Sequence, residues 1–202
     1  MKTDDKRMSV HRIATARFPT KYGVFRAHAF AGGDGHEHLA LVRLRLSQAR
    51  APLVRIHSEC ITGEALGSLR CDCGAQLNES LRRIVQAGSG ILIYLRGQEG
   101  RGIGLANKIR AYALQDADYD TVSANQALGL PADARDYGPA VAMLQGFGVR
   151  RVRLLTNNPS KVAALETAGI LVEERVPLVV GVTSENTRYL RAKAAKLGHQ
   201  LS

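Results

Sequence analysis

All three cysteines lie between Cys60 and Cys73, and Cys71 and Cys73 are separated by a single residue. The stretch reads His57-Ser58-Glu59-Cys60, then Arg70-Cys71-Asp72-Cys73-Gly74 and Gln76. Thiolates are the soft, charged ligands that zinc prefers, and three of them fill three corners of a tetrahedron. With no fourth cysteine, His57, Glu59 or Asp72 closes the site, or water occupies it. A closed site is structural and an open one catalytic. Buried core thiols or an incomplete disulfide set are the alternatives. An odd count and a Cys-x-Cys spacing suit pairing poorly, so a metal, and a catalytic one, is the favoured reading.

Three further loops carry residues suited to chemistry. Arg96-Gly97-Gln98-Glu99-Gly100-Arg101-Gly102-Ile103-Gly104-Leu105 is rich in glycine, which lets backbone amides approach phosphate oxygens. It is neither a Walker loop nor a clean dinucleotide fingerprint, but Arg96, Arg101, Lys108 and Arg110 surround it with positive charge. Glu99 could accept two hydrogen bonds from a donor edge such as that of guanine, or pair with one of these arginines. Asp133-Ala134-Arg135-Asp136-Tyr137 holds an acid and a base two apart, by default a surface ion pair of little energetic weight. Thr156-Asn157-Asn158-Pro159-Ser160-Lys161 is a helix cap by default, and an anion site if Thr156 and Lys161 converge.

The elements that must position these loops follow from periodicity. Residues 10–17 and 23–30 alternate as two strands around a turn at Pro19–Gly23, and Gly32–Gly35 makes another turn. Leu39–Leu46 and Leu53–His57 alternate likewise, so the first sixty residues read as an antiparallel β region that ends at the cysteines. A helix-like run, Gly63–Arg70, folds Cys71 and Cys73 back towards Cys60. Leu77, Leu81, Ile84 and Val85 share a helical face closed by Gly88. Gly90–Leu95 and Val152–Thr156 are short apolar runs suited to buried strands. Helices are expected over 104–116, over Pro139–Phe147 and after Asn158, a strand over Ile170–Pro177, and a basic amphipathic helix over Ser184–Leu197. The expectation is a mixed α/β (α+β) fold: one domain over 1–202, with 1–9 flexible and the tail helix within 180–202.

The 202 residues carry a formal net charge of +10, which calls for an anionic partner. Lys21, Arg26, Arg43, Arg45, Arg50 and Arg55 crowd the first third, and Arg188, Arg191, Lys193 and Lys196 the tail. Tryptophan is absent and aromatics are few, so stacking platforms for single-stranded nucleic acid are scarce. No apolar stretch reaches the length of a membrane span, and the first residues lack the apolar core of a signal peptide. A cytoplasmic protein without nucleic-acid or membrane partners is expected.

Taken together, Arg55–Cys60, Ser68–Gly74, Gln98–Leu105, Asn107–Tyr112, Tyr119–Val122, Asp133–Tyr137 and Leu154–Pro159 resemble the GTP cyclohydrolase II family of riboflavin synthesis. The likeness runs from about residue 10 to Glu174–Leu178 and Tyr189-Leu190, with Gly97 as a glycine that some members lack. It implies one zinc on Cys60, Cys71 and Cys73 with an open position, and magnesium on the triphosphate. It places GTP on Arg55, Ile56, His57, Ser58, Glu59, Gln76, Glu99, Gly100, Arg101, Thr121, Thr156 and Lys161. Asp133 would be the proton acceptor, Arg135 a nucleophile at the α-phosphate, and the assembly a homodimer. The products would be formate, diphosphate and a diaminopyrimidinone ribosylamine phosphate. Three thiolates leave the zinc complex net negative, so an added acid or phenol must help move protons, with Tyr112 and Asp133 the candidates. Two rivals are a relative that stops at the formamidopyrimidine nucleotide and a zinc-stapled RNA-binding module.

Overall fold

The computed structural model describes residues 10–43 and 51–198. Residues 1–9, 44–50 and 199–202 lie outside these, and with them the segment 1–9 expected to be flexible, Arg45, Arg50 and the end of the strand begun at Leu39. The side chains of Arg188 and Lys196 lie outside the description too.

Strands β1 (Val10–Thr20), β2 (Gly23–Gly32) and β3 (Glu37–Arg43) form an antiparallel meander. β3 then pairs antiparallel with β5 (Gly90–Leu95), not with the next strand in sequence. β4 (Leu53–Ser58), β5, β6 (Arg151–Leu155) and β7 (Leu171–Val176) run parallel. Among the described residues the result is one seven-stranded sheet ordered β1-β2-β3-β5-β4-β6-β7.

The antiparallel expectation therefore holds for three strands and fails for β4. Val54 and Ile56 face one apolar layer, while Arg55 and His57 face the other side and are equally buried. An apolar/polar alternation that looks half-exposed is here a strand covered on both faces, as parallel strands are. The first turn also shifts: Pro19 and Thr20 remain in β1, paired with Val24 and Gly23. A proline is tolerated there because β1 is the edge strand.

Helix α1 is a single turn (Ile61–Glu64), and α2 (Cys73–Gln86) packs Leu81 and Ile84 against Leu53 and Leu92. The run expected to be helical to Arg70 stops at Glu64, and Gly67 takes φ +66° in the loop that follows. After β5 come α3 (Glu99–Gly102), α4 (Leu105–Asp116), α5 (Thr121–Ala127) and α6 (Gly138–Gly146). The helix α5 went unanticipated, although Asp120 and Ser123 form a reciprocal capping box at its start. α6 and α7 (Pro159–Thr167) cover the opposite face of the sheet, where Met143, Leu144 and Leu165 meet Ile56, Ile91 and Ile93. α8 (Thr187–Leu197) closes the described chain and packs on α5. Among the described residues no helix is long and apolar enough to cross a membrane.

Candidate active site

The parallel strands end side by side at Ser58, Leu95 and Leu155, and the loops that follow carry the motif residues. The connection from β4 to β5 runs over one face through α2, and the return to β6 crosses the other through α6. That reversal opens a crevice at the carboxyl ends of the strands. The crevice holds about 900 Å³ of empty space, open solvent at its mouth included.

One end of it is built from sulfur. The Sγ atoms of Cys60, Cys71 and Cys73 lie within 4.8 Å of one another, and Cys60 and Cys71 are 3.7 Å apart. Thiolates at ~2.3 Å from a zinc ion in tetrahedral geometry stand about 3.8 Å apart, so the spacing suits that ion. Cys73 opens α2; until an ion binds, the neighbouring Cys60 and Cys71 sulfurs and burial push its thiol up, although the helix start works the other way. The Lys108 ammonium lies 3.1 Å from Cys60 Sγ and also contacts Thr62 and Glu99. The Cys60 thiol is pushed down by the neighbouring thiols of Cys71 and Cys73, and further by Lys108. Burial would lower the Lys108 pKa, but the Glu99 carboxylate and the Cys60 thiolate outweigh it and leave it raised.

Two glycines allow this approach. A Cβ on Gly74 would stand 2.3 Å from the Gly63 carbonyl oxygen, and one on Gly63 2.6 Å from Cys71 Sγ. Gly74→Ala must therefore push α1 away from α2 and spread the thiols. Overpacking of this kind costs ~1–3 kcal/mol. The expected result is a lower melting temperature and zinc lost to a weaker chelator than the unsubstituted protein requires. Identical chelator titrations would show that the contact relaxes freely.

The other end is built from cations. Arg55, Arg135, Lys161 and Lys193 all line the cleft. Arg55 donates to the Leu155 carbonyl at 3.0 Å and to Gln76 Oε1 at 2.6 Å, and burial pulls its pKa down to about 10. Lys161 donates to the Ile56 carbonyl at 2.8 Å. Its pKa is driven well down by burial, then by Arg55, Arg135 and Lys193. Cations that repel one another in a partly dry cleft attract an anion strongly. Arg55 Nε, His57 Nδ1 and Arg101 Nη1 are buried and without partners among the described residues. A ligand in the cleft would meet such groups. Arg101 and Gly100 both take left-handed backbone, φ +66° and +61°, and Arg101 is one of two non-glycine residues there among those described. Strain of this sort concentrates at functional loops.

The residues expected to bind or react fall into three groups. Lining the cleft are Arg55, His57, Ser58, Glu59, Gln76, Gly100, Arg101, Tyr112, Thr121, Arg135, Thr156 and Lys161, with the three cysteines. His57 bonds Glu64 at 2.8 Å and stacks on Tyr94, and burial lowers its pKa. Ser58 donates to Gln98, and Glu59 accepts from Gly97 N. Ile56 is different: its side chain lies wholly in the core, and only its carbonyl reaches Lys161. Glu99 and Asp133 stand behind the wall. Both Glu99 oxygens are taken, one by Lys108 and one by Ile61 N, rather than by an arginine. Asp133 grips Arg135 through two contacts, Nε to Oδ1 at 2.8 Å and Nη2 to Oδ2. This is not the surface pair expected of the spacing, since the Arg135 side chain is only 10% exposed. Gly97 takes φ +74°, and a Cβ there would stand 2.3 Å from the His36 ring, so a side chain at this position would need strained backbone and a displaced His36.

Reasoning from sequence missed Gln98, Lys108, Tyr189 and Lys193 as wall or support. Lys108 was visible as charge beside the glycine loop. The i,i+4 spacing of Tyr189 and Lys193 was the signal in the tail.

The family model described as GTP cyclohydrolase II matches residues 11–177. The chain is 54% identical over 193 residues to GTP cyclohydrolase-2 of Neisseria meningitidis serogroup C / serotype 2a, covering 96% of this chain and 98% of that one. It is 55% identical over 195 residues to GTP cyclohydrolase-2 of Azotobacter vinelandii, covering 96% and 93%. It is also 55% identical to the riboflavin biosynthesis protein RibBA of Salinispora arenicola, covering 95% of this chain and 46% of that longer one.

Proposed function

Because the chain belongs to the GTP cyclohydrolase II family of riboflavin biosynthesis enzymes, we propose that its cleft binds GTP with the imidazole ring at the thiol end and the triphosphate at the cation end. The products are formate, diphosphate and 2,5-diamino-6-(5-phospho-D-ribosylamino)pyrimidin-4(3H)-one. One observation carries the reading: three thiols at zinc-binding spacing and six arginine and lysine side chains line a single crevice.

Cys60, Cys71 and Cys73 hold the zinc ion, which when bound supplies an acidified water for hydrolysis. Lys108 offsets the charge of the thiolate group through Cys60, and Glu99 fixes Lys108 in turn. Arg55, Arg101, Arg135 and Lys161, with magnesium, balance the roughly four negative charges of the triphosphate. Thr156, which lines the same cleft, adds a hydroxyl donor. Asp133 suits the role of proton acceptor less well. Burial raises its pKa, but the Arg135 guanidinium outweighs this and holds the carboxylate ionised and occupied. We assign it the orientation of Arg135. Three unpaired thiols suit a cytoplasmic enzyme, and the family resemblance adds a homodimer.

Tyr112 stands at the thiol end, with the Arg70 guanidinium 4.9 Å and the Lys108 ammonium 5.7 Å from its ring centroid. Its pKa is raised by burial, against Lys108, so the phenol stays protonated and can donate to the leaving amine. Tyr112→Phe is expected to keep the melting temperature and zinc content. Formate release should fall by ~10²-fold or more, with formamidopyrimidine nucleotide accumulating. An unchanged formate yield would leave Tyr112 as packing.

The decisive experiment incubates zinc-loaded protein with GTP and magnesium and identifies products by mass. Formate with the deformylated nucleotide supports the reading. A formamide end product marks a relative that stops early. Salt-sensitive RNA binding without GTP turnover would replace the reading altogether.

A further inference from the structure

Helix α8 lies beyond the matched segment, which ends at residue 177, yet it forms part of the cleft wall. Tyr189 and Lys193 are four residues apart and present the same helical face. The Lys193 ammonium lies 4.2 Å from the Tyr189 ring centroid and 3.2 Å from Asp72 Oδ1, and its side chain is only 11% exposed. A surface lysine keeps its ammonium in water, and this one does not.

The contact with Asp72 begins a continuous chain of hydrogen bonds. The other Asp72 oxygen accepts from Gln76 Nε2 at 2.6 Å, and Gln76 Oε1 accepts from Arg55 at 2.6 Å. Arg55 ends the chain on the Leu155 carbonyl at 3.0 Å. The tail helix is thus tied to the cation floor of the cleft. Its root is equally fixed: Asn186 is 1% exposed, accepts from Thr183 N at 2.9 Å and donates to the Gly181 carbonyl at 2.7 Å. Leu190 is buried.

We propose that α8 is a wall of the substrate site, and that Lys193 is a polyphosphate-binding residue acting beside Arg55, Arg135 and Lys161. This rests on the reading of GTP as substrate. An ammonium has three donors, and the neighbouring Asp72 and Tyr189 leave at least one for an anion oxygen. Asp72 keeps the ammonium aimed at the cleft before a ligand arrives. Its position between two of the three clustered cysteines sets the anion site and the thiol end in register.

The test compares the 202-residue chain with its Lys193→Met and Lys193→Arg variants, with melting curve and zinc content recorded for each. Formate release gives KM for GTP, and calorimetry gives direct affinities for inorganic diphosphate and for guanosine. Lys193→Met should raise KM and weaken diphosphate about tenfold while leaving guanosine within about twofold, and Lys193→Arg should restore most of the loss. Equal weakening of diphosphate and guanosine, or loss of zinc with unchanged diphosphate affinity, would make α8 a structural support and overturn the proposal. If the unsubstituted protein released no formate, the GTP reading would fail, while diphosphate affinity would still decide the role of Lys193. Should Lys193→Met unfold, diphosphate affinity of Lys193→Gln decides in its place.

Discussion

Replacing any one of Cys60, Cys71 or Cys73 by serine is expected to abolish formate release and to leave the protein without zinc. The three sulfurs lie within 4.8 Å, on the N-cap of α1, the loop before α2 and the first turn of α2, so each segment contributes one ligand. A serine hydroxyl is a harder donor and remains protonated near neutrality, so two thiolates must then hold the ion alone. At Cys60 the loss is compounded, because the Lys108 ammonium 3.1 Å away would lose its thiolate partner. Glu99 and Thr62 still hold that ammonium, so the added cost is that of one charge-assisted hydrogen bond, about 1.5–3 kcal/mol. A zinc ion held there would lower the barrier by several kcal/mol, so its loss should slow the reaction by roughly 10³-fold or more. Metal analysis and formate assay on the same preparation check this. Full turnover from protein stripped of zinc would sink it.

The thiol end was legible because its signal is chemical and local. Three cysteines at this spacing have few other uses, and the structure brings their sulfurs together. The parallel half of the sheet was legible as elements but not as pairing. Val54 and Ile56 against Arg55 and His57 spelled an ordinary half-exposed strand, whereas both faces of β4 are covered. Sequence period reports which residues share a face, not whether that face meets water or a buried polar site. The same limit hid the inward face of α8, a helix that its periodicity did announce. A basic amphipathic helix is by default solvated, and only Asp72, far away in sequence, turns Lys193 inward. Glu99 shows the converse. Its type and place suggested base recognition, but Lys108 and the Ile61 amide occupy both oxygens, a contact no spacing rule announces.

Arg135→Met is expected to cost ~10³-fold or more in turnover, and Arg135→Lys markedly less, with no labelled nucleotide ever attached to the protein. The guanidinium lies over the Tyr137 ring, 5.6 Å from its centroid, and is gripped by Asp133. Burial works to lower its pKa, but the Asp133 carboxylate prevails and the pKa is raised. Deprotonating such a group at neutral pH costs at least about 7 kcal/mol, before any attack on phosphorus. A protonated guanidinium has no lone pair to offer, yet it can hold two phosphoryl oxygens as charge develops. The lysine variant keeps the charge and loses the fork, which is why it should retain part of the activity. Stability must be tracked alongside, because Arg135→Met leaves the Asp133 carboxylate unpaired. The lowered Asp133 pKa means that its stabilisation is present above the ordinary carboxylate pKa of ~3.9 and is lost as pH falls further. Melting at pH 7 therefore separates a folding defect from a catalytic one. Rapid quenching with GTP labelled at the α-phosphate reads the chemistry. Label that stays with the unsubstituted chain after denaturation, and vanishes in both variants, would make Arg135 the nucleophile and end the electrostatic account.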